Sequence, residues 1–318
     1  MNNASSYLTS YGSFGVSSLL VVGCGYLGRR VVSRALQDGW RVFGTTRHSP
    51  GRIEALGARP IRLDWDDART LASLPSVDAV VVAVAYDRRS RVDRDASQVG
   101  GLRRLIQSLD RGSRGDRRAR ICYVSTTGVF HQTGGVWVDE TSPTFPARAG
   151  GRAHLRAESV LRQCRGNQSY SILRLAGIYG PGRVPRAADV RAGREIASPS
   201  NGYLNLIHVD DAARGVMASL QVARPSRLYV VADDAPVIRK RFYEEIARQV
   251  AAPSPRFVTP DSDSGVAWRS TTNKRVWNRR FKQELIPRLT FPSYVEGLKD
   301  VLSSRQTDEG RSDRLDKT

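Results

Sequence analysis

Over the first 175 positions, apolar residues fall into short unbroken runs separated by stretches with helical spacing. The runs cover 19–22, 41–44, 60–63, 79–84, 121–124 and 170–175, and each is short enough to be a strand. Between them, 29–37, 92–109 and 152–164 read as helices, the second with Val99, Leu102, Leu105, Ile106 and Leu109 on one face. Strand and helix in regular alternation predict βαβ units and a parallel sheet, with right-handed crossovers placing helices on both faces. The stretch 80–84, apolar on both sides, belongs in the middle of that sheet. After Leu175 the alternation fails. Residues 180–202 are rich in Gly, Pro, Arg and Ser, as a loop lining a cleft would be. Helices are predicted at 210–221, 240–250 and 294–302, and a short strand at 228–231.

The expected fold is α/β, a Rossmann-type doubly wound parallel sheet with a smaller C-terminal substrate-binding portion. Residues 1–17 form a disordered leader and 18–176 a dinucleotide-binding domain; 177–302 form the substrate-binding portion, interleaved with that core, and 303–318 a disordered tail.

Composition changes this picture little. At 318 residues the chain can bury a full core, and no run approaches the roughly twenty apolar residues of a membrane span. The leader lacks the basic start and apolar middle of a secretory signal. Cys24, Cys122 and Cys164 have neither metal-ligand nor disulfide-framework spacing, so no metal site is expected and a reducing cytoplasm fits. The net charge of +19 is spread along the chain. Its one local cluster, 111–120, contains no aromatics for base stacking, which argues against a nucleic-acid partner.

Candidate chemistry begins where the first strand meets Gly23-Cys24-Gly25-Tyr26-Leu27-Gly28. Gly23 permits a tight turn, Gly25 lets backbone approach a diphosphate, and Gly28 lets the next helix pack against the strand. Tyr26 and Leu27 lie within the turn, and the helix start offers free N–H groups and a positive dipole end. The second strand ends in Thr45-Thr46-Arg47-His48 without the acid that would bond a ribose 2′-hydroxyl. NADP is therefore favoured over NAD, with Thr46 and Arg47 at the 2′-phosphate, unless Arg47 simply faces solvent. Asp64, closing the third strand, either contacts the adenine edge or forms a turn. Ala83, ending the fourth strand, and Ser125, ending the fifth, complete the cofactor set.

Four ordered motifs carry a resemblance to a known family. They are Gly23-x-Gly25-x-x-Gly28, the run 124–130 (VSTTGVF), the run 174–183 (RLAGIYGPGR) and the run 205–211 (NLIHVDD). Together they make the chain resemble the extended short-chain dehydrogenase/reductases of the NAD(P)-dependent epimerase/dehydratase superfamily. The runs 229–234, 273–275 and 291–294 point to an atypical subgroup of it. The resemblance implies a Ser or Thr at the end of the fifth strand, here Thr126 flanked by Ser125 and Thr127. It also implies a Tyr-x-x-x-Lys on the next helix. Aligned on Glu158, those places hold Gly150 and His154; no lysine precedes Lys240 and no tyrosine lies between Tyr123 and Tyr170. Another group must then move the proton. His154, whose imidazole titrates near neutrality, is the leading candidate, with Thr126, Tyr179 and a water completing a relay. The bland alternative makes His154 a surface helical histidine. His208 anchors a helix or lines the cleft rather than shuttling protons. A small carbonyl compound or nucleotide sugar is the implied substrate, facing Thr126 and the 177–183 loop, where Arg183 and Arg186 either meet an anion or are solvated. A homodimer paired through 92–109 and 152–164 is implied by the resemblance alone. The competing reading keeps the dinucleotide but loses turnover, leaving a sensor or partner-binding module.

Overall fold

Short runs of Val, Leu and Ile buried on both faces build the centre of the molecule, because only a strand covered by helices above and below can use them. The computed structural model describes residues 17–72, 74–112, 118–164, 169–222, 226–259 and 273–303. In chain order the first half contains β1 (Ser18–Val22), α1 (Tyr26–Gln37), β2 (Arg41–Thr46), α2 (Gly51–Glu54), β3 (Arg59–Arg62), β4 (Ala79–Val82), α3 (Gly101–Gly112), β5 (Arg120–Thr126), β6 (Val136–Val138) and α4 (Ala149–Gln163). The second half contains β7 (Tyr170–Leu175), β8 (Gly177–Tyr179), α5 (Ala187–Arg191), β9 (Ile196–Ala197), β10 (Tyr203–Leu204), β11 (Leu206–His208) and α6 (Val209–Gln221). It closes with β12 (Arg227–Val231), β13 (Val237–Ile238), α7 (Arg239–Gln249), β14 (Phe257–Val258), β15 (Lys274–Val276) and α8 (Arg279–Glu284). A final helix spans 294–303.

Seven strands pair in parallel in the order β12-β7-β5-β4-β1-β2-β3. Chain order reverses direction at β1, with β2 and β3 laid to one side and the later strands to the other. That reversal opens a crevice beyond the carboxyl ends of β1 and β4, the place where open α/β sheets take ligands. Alternate β1 residues feed two cores. Leu19 and Val21 join Val31, Val32 and Val216 on one face, while Leu20 and Val22 join Leu102, Leu105 and Leu161 on the other. A third cluster around Tyr179, Phe242, Ile246 and Leu298 holds the C-terminal portion together.

The doubly wound parallel fold read from the sequence is therefore present, with differences in detail. Helix α1 starts at Tyr26 rather than 29, because Gly25 already serves as its N-cap. The helix expected over 92–109 enters α3 through a wide π-type turn at Ala96–Gly100. The strand expected at 228–231 lies not in the C-terminal portion but at the edge of the central sheet, as β12 alongside β7. The small pairs β8–β11, β6–β15, β9–β14 and β10–β13 had no counterpart in the sequence reading, since two or three residues carry no periodicity. Residues 1–16 and 304–318, and 113–117 of the arginine cluster, lie outside the described residues. Among the described residues no helix is long and apolar enough to cross a membrane.

Candidate functional site

The glycine turn shows three different uses of a missing Cβ. Gly23 has a φ of +96° in the left-handed region, and a Cβ there would meet the Ala83 carbonyl oxygen at 2.7 Å. At Gly28 a Cβ would fall 2.1 Å from the Gly23 carbonyl oxygen, so this position sets how closely α1 packs on the turn. Gly25 differs, because a Cβ there would meet nothing within 4 Å. Its bareness serves open space rather than packing. The first α1 hydrogen bond runs from Arg29 N–H to the Gly25 carbonyl at 3.0 Å, and neither a capping side chain nor an acid occupies the first turn. The N–H groups ahead of Arg29 and the positive dipole end are thus left for an outside anion. These features fit a dinucleotide diphosphate.

A cleft of about 510 Å³ extends from this turn, with Thr46, Arg47 and Asp64 toward one end and Ser125 and His154 toward the other. At the first end Arg47 donates to Asp87 Oδ2 at 2.8 Å, an exposed hydrogen-bonded pair that holds the Asp87 carboxyl below its ordinary value. Thr46 Oγ1 accepts from the His48 and Ser49 N–H groups at 3.3 and 3.0 Å and shapes the bend after β2. Asp64 Oδ1 accepts the Asp66 N–H at 3.1 Å, so the turn role is real while the residue also lines the cleft. Asp66, not singled out in the sequence, is raised by burial even though Ser97 donates to it and Arg104 pairs with it.

At the other end two rungs tie β5 to α4. Residues 123 and 125 share one face of the strand, and 154 and 158 share one face of the helix. Ser125 donates to Glu158 Oε1 at 2.7 Å, and Arg174 grips the same buried carboxylate through two bonds of 3.0 and 2.8 Å. Burial works to raise the Glu158 carboxyl, but Arg174, then Ser125 and Arg162, outweigh it and the carboxyl is held low. The other rung joins the Tyr123 hydroxyl to His154 Nδ1 at 2.9 Å. His154 lines the cleft, yet burial pushes it down to about 4. The expectation that it titrates near neutrality is therefore not met, because the imidazole is largely withdrawn from water. Thr126 Oγ1 accepts the Gly128 N–H at 3.0 Å at the start of a short turn, and the Gly128 carbonyl packs on α4 where a Cβ at Gly151 would come within 2.6 Å.

Tyr179 is not brought to this group. It is fully buried in the third core, edge-on to His208, and its hydroxyl donates to the Ser293 carbonyl at 3.3 Å. His208 caps α6 by accepting the Asp210 N–H at 3.3 Å and packs against Phe291, an anchoring role. The 177–183 loop reaches the cleft by another route. Tyr26 donates its hydroxyl to the Pro181 carbonyl at 3.1 Å, and the Arg183 guanidinium lies 5.2 Å from the Tyr26 ring centroid. Arg183 lines the cleft, while Arg186 pairs with Asp189 at 3.4 Å. Lys274, which the sequence offered only as part of the run 273–275 and with no role, is buried, donates to the Phe130 carbonyl at 3.2 Å and is pushed down to about 8 by burial. Among the described residues no group of His, Cys, Asp or Glu is arranged to hold a metal.

A doubly wound parallel sheet with a glycine turn and an open cleft at its switch point defines a Rossmann-type nucleotide-binding protein. The family model for the NAD dependent epimerase/dehydratase family matches residues 19–232, and the chain belongs to that family. Protein YeeZ of Escherichia coli (strain K12) is 28% identical over 249 residues, 76% of this chain and 87% of YeeZ. A functionally unknown conserved protein from Silicibacter pomeroyi DSS is 33% identical, with a TM-score of 0.75 over 91% of this chain and 99% of its own. UDP-glucose 4-epimerase from Bifidobacterium longum, solved with NAD+ and UDP, shares the fold at 14% identity, with a TM-score of 0.76 over 92% of this chain and 99% of that one.

Proposed function

We propose that the chain is an NAD(P)-dependent oxidoreductase or epimerase, with NADP favoured, acting on a small carbonyl compound or nucleotide sugar. The observation that carries this reading is the cleft itself, which joins the open face of Gly25 to His154 and Ser125 in one continuous space. When bound, the dinucleotide supplies or accepts a hydride. Gly23, Gly25, Tyr26, Leu27 and Gly28 hold its diphosphate, and Ala83 and Ser125 flank its path. Arg47 meets the 2′-phosphate by exchanging Asp87 for it. Asp64 lies at the adenine end. Arg183, stacked on Tyr26 at the edge of the turn, meets an anionic group on the cofactor or on a substrate.

Proton handling falls to His154 and Thr126. A neutral imidazole with its outer nitrogen toward the cleft can hold a substrate oxygen by hydrogen bond, and Thr126, next to the cleft-lining Ser125 in the chain, offers a hydroxyl. Tyr179, buried elsewhere, takes no part. Hydride exchange between labelled NADPH and a panel of sugar nucleotides, aldehydes and ketones tests turnover. Exchange reduced by His154→Ala and by Thr126→Val supports the assignment, and exchange unchanged by both overturns it.

A second reading, dinucleotide binding without turnover, is favoured by the same desolvation of His154, which takes its imidazole away from neutrality. NADPH that binds while no compound in the panel exchanges hydride supports that reading instead.

A further inference from the structure

Resting on the role given to His154 above, we infer that Tyr123 is a positioning residue. Its hydroxyl donates to His154 Nδ1, fixes the imidazole as the Nε2–H tautomer and so turns a hydrogen-bond donor toward the cleft.

Tyr123 was passed over in the sequence because it lies inside an apolar strand, three residues before Thr126. It is 2% exposed, and its hydroxyl stands 2.9 Å from His154 Nδ1 with the rings tilted by 53°. Among the described residues Nδ1 is the only hydrogen-bond partner of that hydroxyl. A buried O–H left without an acceptor costs about 1–3 kcal/mol, so the phenol is the donor and Nδ1 must present its lone pair. A neutral imidazole accepting at Nδ1 carries its proton on Nε2, the nitrogen across the ring from Tyr123. Burial also raises the Tyr123 phenol above its ordinary value, and the nearby Glu158 charge adds to this, so the donor stays protonated. The neighbouring rung sets the geometry. With Ser125 of β5 and Arg174 of β7 both fixed on Glu158, α4 is clamped to the sheet, and His154 is held one turn away facing Tyr123.

One chemical consequence follows for the ligand. A fixed Nε2–H can meet only an acceptor, so the oxygen it serves is a carbonyl oxygen or the lone pair of a hydroxyl, and a ketone or aldehyde is the matched substrate class.

The test uses the full chain labelled with 15N-histidine and without dinucleotide. The chain has four histidines, and His154→Gln identifies the signals of the one in question. The expected result is a proton coupled to Nε2 and none to Nδ1, with the Nδ1 signal moving to the position of a non-hydrogen-bonded ring nitrogen in Tyr123→Phe. A proton on Nδ1 in the unaltered chain overturns the inference, and so do ring signals unmoved by Tyr123→Phe. Should Tyr123→Phe fail to fold, the unaltered chain decides alone. An NADPH titration of the same sample keeps the two claims apart, since absent binding counts against the cleft reading and leaves the tautomer result standing.

Discussion

Ser125 and Glu158 meet across 2.7 Å in the interior, hydroxyl to carboxylate, and the same carboxylate receives both arms of Arg174. The Ser125 hydroxyl is therefore committed to holding α4 on β5, even though its residue borders the cleft. The placing of His154 against Tyr123, one turn away on α4, depends on that clamp.

Removing one partner of a buried, hydrogen-bonded ion pair leaves the other charge uncompensated. Glu158→Ala strands Arg174, whose side chain is 4% exposed, and is expected to lower unfolding stability by about 3–5 kcal/mol. Urea unfolding measures this, and a loss below about 1 kcal/mol would contradict a tight pair. Ser125→Ala removes one of several donors and is expected to cost about 1 kcal/mol.

Gly25 and Gly28 should respond oppositely to a side chain. Gly28→Val drives carbon against the Gly23 carbonyl and is expected to destabilise the fold by several kcal/mol. Gly25→Ala leaves the melting temperature within about 2 °C while weakening dinucleotide binding at least tenfold. Equal effects of the two on thermal unfolding would show that Gly25 serves packing after all.

Arg47 now faces Asp87 rather than a phosphate. If it serves the 2′-phosphate, Arg47→Ala lowers NADPH affinity about tenfold or more and leaves NADH affinity nearly unchanged. Asp87→Asn frees the guanidinium and raises NADPH affinity. Calorimetric titration of both dinucleotides reads these changes, and equal losses for the two would remove Arg47 from cofactor choice.

His154 gives stability a pH signature. Burial holds it at about 4 against an ordinary 6.5, with Glu158 opposing and Arg94 adding to that shift. The unfolded chain takes up this proton below about 6.5 and the folded chain only near 4. The stabilisation is complete above about 6.5 and is lost as pH falls through about 4, an effect on the order of 3 kcal/mol. Unfolding stability measured from pH 7 to 4 should fall less steeply in His154→Gln. Parallel profiles would show that the imidazole is solvated.

Much of this was legible from apolar runs. Strands β1 and β4 declared themselves because burial on both faces leaves no polar alternation, and the glycine turn did so by its spacing, with Gly23 and Gly28 at positions that tolerate no Cβ and Gly25 open. What escaped notice depends on contacts remote in sequence. Tyr123 reads as one more apolar strand residue until α4 sets His154 against it. Tyr179 reads as a site residue until β8 turns it inward under Ser293. Lys274 becomes distinctive only when β15 pairs with β6 and buries it. Strand β12 was recognised but misplaced, because an edge strand of a parallel sheet and a strand of a separate portion have the same local pattern.

The central claim is that the glycine turn and its cleft hold an NAD(P) dinucleotide. A fluorescence titration with NADPH and NADH, run on the unaltered chain and on Gly25→Arg, tests it most directly. The account predicts saturable binding by the unaltered chain, tighter for NADPH, and its loss in a Gly25→Arg variant that still unfolds cooperatively at nearly the same temperature. Saturable binding that survives Gly25→Arg, or no binding of either dinucleotide by the unaltered chain, would contradict it.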